Sequence, residues 1–584
     1  MRVTASKSKN STTLYIIKSV WDSKNQASSS KVYERLGSPE EIQEKHNCKD
    51  PYLWAKNRAK ELTKLDKEDK LPVNIKLSPD KEIEMNQERF FNGGYLYLKN
   101  IYYKLRLDEI CQNISSKYKI KFDLNNILEN LIYSRIIFPG SKKYTYEISK
   151  KYIEAGGFAL HQTYRALDVI AKESANIEAA LYKNSQKLYK RHTGVLYYDV
   201  TNYYFDIDYE DNLRRYGKAK NHMPKPIVNM GLIMDYDGIP LSFNIYEGNK
   251  NEQQSLRPIE EKIIKDYGVK RFVMCTDAGL SSKSNKEFNT QNDRSYITVQ
   301  SIKKLKKYLK EYCLNTKGWH IDGHTQAFDL EEISKSEQLR QKYYEKIFTK
   351  SRQIKENGLE EQLIVTFSFR YLDYARNVRN KQVDRAQKDI DKNQLRRGKN
   401  QNDPSRFIDE TNVTDEGEIA DNKILKLDHE KVNNEEQYDG FYAIVTNLDD
   451  NPYEIAKVNH NRWKIEKCFR DLKTEFESGT VYLSRENRIK AHFTTCFISL
   501  LIFRLLEKEL DNKYSTEKIS KTLRSLNLTK LKDGFIPSFT KTEITNDLRN
   551  LSNIKLDAEI TTSGTMKKIV NFTKHRKYYP KLKG

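Results

Sequence analysis

The run GVLYYDVTNYYFDIDY, beginning at Gly194, constrains this chain more than any other stretch. Near-continuous apolar and aromatic residues over the length of a strand mark a β-strand buried on both faces. Two more strand-like runs follow, IVNMGLIMD from Ile227 and IPLSFNIYE from Ile239. They are joined through Tyr236-Asp237-Gly238, and Asp-Gly between apolar runs is a strong hairpin signal. Next come a helix over about Glu252 to Tyr267, the strand RFVMCT ending at Asp277, a connection, and the strand SYITVQ from Ser295.

Three strands, a helix, a strand, a connection and a strand form the opening order of a ribonuclease-H-like α/β core. Residues 302–436 interrupt it with a Lys-rich helix (IKKLKKYLKEY), the strand-like LIVTFSFRYL at Leu363 and the polar loop RRGKNQNDPSR from Arg396 to Arg406. Regular texture returns with DGFYAIVTN at Asp439, then a long helical segment from Pro452. Ahead of the core, residues 12–37 show two strand-like runs around a polar turn. Residues 39–90 are charged, with one expected helix. From Gly94 to about Arg191 apolar residues recur at helical spacing, broken by FPGSKK at Phe138. The expected fold is thus α/β, a ribonuclease-H-like core split by a β-containing insertion. The divisions are a small β unit and charged linker (1–90), a Lys- and Tyr-rich helical domain suited to DNA binding or else a scaffold with a solvated basic face (91–192), the first part of the core (193–301), the inserted domain (302–436), the second part with a long helix (437–510), and a helical C-terminal region with a basic tail (511–584).

Lys and Arg number 103 against 81 Asp and Glu, a net charge of +22 that favours a polyanionic partner, nucleic acid or an anionic surface. An AT-rich genome also raises Lys, Asn, Ile and Tyr, so charge alone does not choose. The six cysteines are scattered with no CxxC pair, which argues against a zinc module and a disulfide framework and fits a reducing cytoplasm. The N-terminus has no long apolar stretch of the kind that opens a secreted chain. The most apolar segment, Phe493 to Leu506, is too short to span a bilayer and contains Arg504, so it reads as a core helix with no membrane role.

Three carboxylates carry the chemistry. Asp199 lies in the middle of the apolar strand, where an unpaired charge costs several kcal/mol. A metal ion or a hydrogen-bonded structural role could offset that cost, and Thr201 shares its face. Asp277 ends a strand and precedes Ala278 and Gly279, where sites form in open α/β sheets, although Asp before a Gly-containing turn is also ordinary turn chemistry. In NHNRWKIEKCFRDLK, Arg462, Glu466 and Lys473 fall on one helical face, while Ile465, Phe469 and Leu472 can pack the other. This arrangement suits a metal beside DNA phosphates, or else a surface Arg–Glu pair. Two strand-borne aspartates and a distant helical glutamate can together hold two divalent ions for phosphodiester chemistry. Hard oxygen donors without Cys or His fit Mg2+ or Mn2+ better than zinc. Gly248 and Asn249 read as a turn bordering the cleft, His222 and Lys225 as a basic loop, His492 as structural, and Trp463 as core packing with base stacking as the alternative.

YYDVTNYYFD, CTDAGLSSKSN and RWKIEKCFRDLK resemble the three catalytic segments of bacterial insertion-sequence transposases with an Asp-Asp-Glu triad. The stretch YGKAKNHMPKPIVNMGLIMDYDGIPLSFNIYEGNKNEQ resembles what that family places between its aspartates. The likeness runs from about Leu14 to past residue 510 and is nearest the insertion-sequence-1634 type of the insertion-sequence-4-like superfamily. That family carries the signature Y-x2-R-x3-E-x6-K. Arg462, Glu466 and Lys473 match it in register, and Asn459 stands at the tyrosine. The resemblance implies a transposase whose metal ligands are Asp199, Asp277 and Glu466, with Arg462 and Lys473 on the DNA. It implies double-stranded DNA partners, namely terminal inverted repeats and a target, a homodimer on paired ends, and an inserted domain that helps hold a hairpinned or flipped end. Rival expectations are a metal-dependent nuclease with the same core that never joins, an inactive DNA-binding regulator, and an RNA-binding scaffold favoured by charge alone.

Overall fold

Strand β1 (Val195–Tyr204) pairs antiparallel with β2 (Ile227–Asp235), which pairs antiparallel with β3 (Pro240–Glu247). The turn between β2 and β3 closes with the Gly238 amide donating to the Asp235 carbonyl at 2.9 Å. Gly238 has φ of +82°, a left-handed conformation that glycine adopts without steric cost. On its other edge β1 pairs parallel with β4 (Val273–Thr276), and β4 pairs parallel with β5 (Ser295–Gln300). Helix α2 (Leu256–Tyr267), preceded by a 3-10 turn over Glu252–Ser255, crosses from β3 to β4. The strand and helix order matches the one read from sequence.

The computed structural model describes residues 1–574, apart from 9–10, 23–26, 69–74, 76–78, 81, 219, 221–223, 357, 394, 396–401, 414–418 and 480. It divides into two compact units. The larger, Gly94–Arg524, holds a nine-stranded mixed sheet in the order β6-β7-β8-β9-β5-β4-β1-β2-β3. Here β6 is His320–Ile321, β7 Phe348–Glu356, β8 Leu359–Phe367 and β9 Phe441–Thr446. Strands from residues 302–436 therefore extend the core sheet, with β9 hydrogen-bonded to β8 on one side and β5 on the other. Trp319, Phe348, Phe367 and Phe369 form the core beneath that extension. Most of the Arg396–Arg406 loop lies outside the described residues.

One face of the first half of the sheet packs Leu196, Tyr198, Val200 and Met274 against Leu256, Ile259 and Ile263 of α2. Helix α1 (Leu160–Leu188) also reaches this half, where Glu178 accepts from Ser242 Oγ at 2.6 Å and from the Phe243 amide at 3.2 Å. This covers the edge strand β3, which would otherwise expose unpaired amides. Four helices, Tyr95–Lys104, Leu107–Tyr118, Leu124–Ile137 and Lys142–Ser149, precede α1.

The segment from Pro452 is two helices, α3 (Pro452–His460) and α4 (Trp463–Thr474), rather than one. The break falls in an Asn-rich stretch of poor helix formers, and Asn461 Nδ2 is drawn off to the Tyr236 hydroxyl at 3.2 Å. Helix α5 (Glu486–Glu509) is longer than the apolar run suggests. By length and composition alone it could cross a membrane, but 94% of its apolar window is buried inside the protein. Its Arg504 is buried against Asp471 at 2.6 Å and also pairs with Glu507, which reconciles the charge with a core position.

The smaller unit, Met1–Gly93 with Ser525–Thr573, contains three antiparallel strands, Arg2–Ser8, Ser11–Asp22 and Ala27–Gly37. Two helices follow where one was expected, Pro39–His46 and Pro51–Glu68; a capping box between Ser38 and Glu41 starts the first. Leu14 and Ile16 are buried against Ile42, Ala55, Ala59 and Leu62. The expected helix from Thr516 to Leu531 ends at Ser525. Asn527–Lys530 is instead a strand between Phe90–Asn92 and Gly534–Pro537, in a four-stranded sheet completed by Thr561–Thr562.

Candidate active site

Strand β1 alternates its side chains between two faces, so Tyr197, Asp199, Thr201 and Tyr203 share one of them. Each neighbour of Asp199 meets the α3–α4 segment in order. Tyr197 donates to the Val458 carbonyl at 2.9 Å, Lys473 Nζ donates to Thr201 Oγ1 at 2.6 Å, and Ser478 Oγ donates to the Tyr203 hydroxyl at 3.1 Å. Asp199 thus faces the middle of that segment, where Arg462 and Glu466 lie. Ile465, Phe469 and Leu472 are buried, as expected.

Strands β1 and β4 run parallel with Tyr197 opposite Cys275. Extending that register by two residues puts Asp199 level with Asp277, on neighbouring strands about 4.8 Å apart. Asp277 Oδ1 accepts from the Gly279 and Leu280 amides at 2.9 and 3.2 Å. A side chain at position 279 would place its Cβ 3.2 Å from that carboxylate, so glycine keeps it accessible. The Asp277 carbonyl accepts from Thr298 Oγ1 at 3.1 Å, fixing the strand end to β5. Burial pushes the Asp199 carboxyl up to about 6; Lys220 opposes the rise and the like charge of Asp277 adds to it.

Glu466 is more than half exposed, and its Oε1 lies 3.2 Å from Arg462 Nη2. Burial acts to lower the Arg462 pKa, but Tyr442, Asp199, Glu466 and Asp277 together hold it above its usual value. The guanidinium is therefore the group that all three carboxylates share. Burial and the nearby Lys220 push Lys473 down, with Asp199 opposing. In this side-chain arrangement, no three His, Cys, Asp or Glu side chains among the described residues converge as a metal cluster. Asp199 and Asp277 come together, while Glu466 pairs with Arg462 and completes no such cluster. Two level aspartates, one buried enough to resist ionisation, form a hard oxygen donor set that suits a divalent cation.

Asn459, at the signature tyrosine position, is 6% exposed. Its Nδ2 donates to the Tyr442 hydroxyl at 3.3 Å and its Oδ1 accepts from Cys275 Sγ at 3.7 Å. Trp463 is 49% exposed rather than packed in the core, because the helix break turns it outward. His492 is buried; its Nε2 lies 3.0 Å from the Ser478 carbonyl and its Nδ1 3.4 Å from Lys142 Nζ. Lys225 pairs with Asp206 and Asp208, and His222 lies outside the described residues. Gly248 is structural: a Cβ there would sit 2.5 Å from the Arg215 carbonyl, and one on Gly217 2.1 Å from the Gly248 carbonyl. Sequence reading missed Lys220, Asn202 and Tyr442, whose roles arise from contacts across the chain.

Residues 206–502 match the family model described as the transposase DDE domain. The match spans half of the chain and includes Asp277, Arg462, Glu466 and Lys473, so the chain belongs to the DDE transposase domain family. Asp199 lies just ahead of the matched residues. Among solved structures, the cryo-EM structure of a piggyBac transposase synaptic complex with hairpin DNA is similar over 84% of this chain and 86% of its own, at 8% identity and a TM-score of 0.37. No curated protein matches the sequence.

Proposed function

We propose that the chain binds the ends of its own insertion sequence, cleaves a DNA strand there, and joins the freed 3′-hydroxyl to target DNA. The observation that carries this reading is the parallel pairing of β1 with β4, whose register extended by two residues sets Asp199 level with Asp277, near the α4 segment that carries Arg462, Glu466 and Lys473. Asp199, Asp277 and Glu466 would hold two Mg2+ or Mn2+ ions. When bound, such ions supply charge stabilisation at the attacking and leaving oxygens.

The chain's own groups do the rest. Arg462 offers a planar donor fork for a phosphate and Lys473 a point charge beside it. Asp199 must be deprotonated to serve, so competence falls as pH drops through about 6. In the first reaction water attacks phosphorus and the P–O3′ bond breaks, leaving a 5′-phosphate and a 3′-hydroxyl. In the second that hydroxyl loses its proton and attacks a target phosphorus in line. A new P–O bond forms as the target's own 3′-oxygen departs and takes up a proton. Paired ends call for a homodimer on DNA, and a bacterial cytoplasm is the compartment this reading requires. The insertion-sequence-1634 type and a hairpinned or flipped end held by the insert belong to the same proposal.

The test is to incubate pre-cleaved element ends with a target plasmid. Joined product is expected; ends that are cut but never joined would favour the nuclease. If Asp199→Ala left every activity unchanged, the enzyme reading would fail in favour of a DNA-binding regulator. Competition between RNA and element-end DNA excludes the RNA scaffold if DNA wins. Inverted repeats bounded by short direct duplications around the gene would identify the ends to use.

A further inference from the structure

We propose that Lys220, on the connection between β1 and β2, grips a phosphate of the bound DNA strand beside the aspartate pair. It lies outside the Arg-Glu-Lys stripe of α4, and the assignment rests on the function proposed above.

The connection is held where it passes the site. Asn202, buried on β1, donates through Nδ2 to the Lys218 carbonyl at 3.1 Å and accepts at Oδ1 from the Lys220 amide at 3.2 Å. One side chain therefore holds the backbone at both Lys218 and Lys220. At the foot of the connection Gly217 and Gly248 meet backbone to backbone, with no room for a Cβ on either.

So positioned, Lys220 Nζ donates to the carbonyl of Val200, the residue after Asp199. Parallel pairing of β1 with β4 ends at Tyr197, so that carbonyl lies beyond the part of the edge that β4 covers. Lys473 reaches the same part of β1 through Thr201, from the α4 face. Two ammonium groups thus flank Asp199, one from the helix and one from the connection. The Lys220 side chain is 46% exposed, with Glu252 3.8 Å away in a half-exposed pair that holds it weakly.

Charge decides what it meets. Arg462, Lys473 and Lys220 all lie close to Asp199. Divalent cations on the carboxylates would offset their negative charge and leave the three basic groups to attract an incoming anion. In a site built for DNA that anion is a phosphodiester, and a lysine serves it as a point charge.

The experiment measures the affinity of the full chain for a fluorescein-labelled DNA duplex in Ca2+ across a range of salt. Each phosphate contact contributes a slope of about −0.9 to log K against log salt. Lys220→Ala should flatten the slope by about that amount and weaken binding about 5- to 10-fold near 0.1 M salt. Lys220→Arg should keep the wild-type slope. Lys220→Gln retains a donor for the Val200 carbonyl without the charge, and should match Lys220→Ala. A merely structural lysine predicts the reverse: Gln like wild type and no change of slope in any folded variant. That result would overturn the assignment while leaving the proposed function standing. A wild-type chain that binds no duplex and nicks no supercoiled plasmid in Mn2+ would instead overturn the function itself, and the assignment with it.

Discussion

Replacing Asp199 with Asn removes a charge that the fold holds at a cost. The carboxyl rises from its ordinary 3.8 to about 6, mainly through burial. A carboxyl whose folded pKa exceeds its unfolded value destabilises the fold once pH passes the unfolded pKa, and does so fully above the folded one. At pH 8 the penalty is about 3 kcal/mol; at pH 5, where the folded carboxyl is mostly protonated, it is about half that. Asparagine can still accept the Val200 amide bond that Asp199 Oδ1 accepts at 2.8 Å, so little is lost with the charge. In a chelator at pH 8, Asp199→Asn should therefore melt higher than wild type, by about 3 °C for a cooperative unit of several hundred residues. The gain should shrink at pH 5. Mg2+ or Mn2+ at about 1,000 times its Kd should reverse the order, because it adds about 4.1 kcal/mol to the protein that binds it, more than the penalty of about 3 kcal/mol. Differential scanning calorimetry at both pH values, with and without cation, measures all three. An Asn variant less stable than wild type in chelator at pH 8, or a gain that grows toward pH 5, would refute the account of Asp199 as a buried charge awaiting a cation.

Other perturbations test other parts of the frame. Lys142, buried beside His492, is held down at about 7, so its charged form burdens the fold below that pH and the burden fades as pH rises toward 10.5. Lys142→Met should gain about 4–5 kcal/mol at pH 6 and less than about 1 kcal/mol above pH 10, by urea melts at each pH. Asn459→Tyr crowds a buried position against Tyr442 and Cys275, and should cost about 1–3 kcal/mol; adding Tyr442→Asn should recover part of it, as a double-mutant cycle would register. Gly217→Ala drives a Cβ to 2.1 Å from the Gly248 carbonyl, so the connection must shift; DNA affinity at low salt should fall together with thermal stability. Glu466→Gln should keep the fold, since the side chain is more than half exposed, while abolishing Mn2+-dependent plasmid nicking.

The legible parts of this molecule are those written in local patterns. Asp199 stands out because it interrupts an apolar strand, the hairpin because Asp-Gly follows one, and the α4 stripe because Arg462, Glu466 and Lys473 keep helical spacing. The illegible parts depend on partners far away in sequence. Asn527–Lys530 reads as the tail of a helix, and becomes a strand because Phe90–Asn92 offers it a ladder; Asn92 Nδ2 reaches Asn527 Oδ1 at 3.3 Å across 435 positions. Lys220 sits in a polar connection with no periodicity, and only Asn202 and the Gly217–Gly248 contact give it a place. Tyr442 looks like one more strand aromatic until its hydroxyl meets Asn459. The helix break before Trp463 is set by the Tyr236 hydroxyl, which belongs to another hairpin.

Strand β9 links the two halves of the large sheet. It is clamped between β8 of the insert and β5 of the core, and the chain leaves it directly for α3 and α4. The two aspartates sit on strands laid down before the insert, and the glutamate rides on the helix that follows it. The placement of Glu466 over the strands that carry the aspartates thus depends on β9 finding both of its partners, β8 and β5.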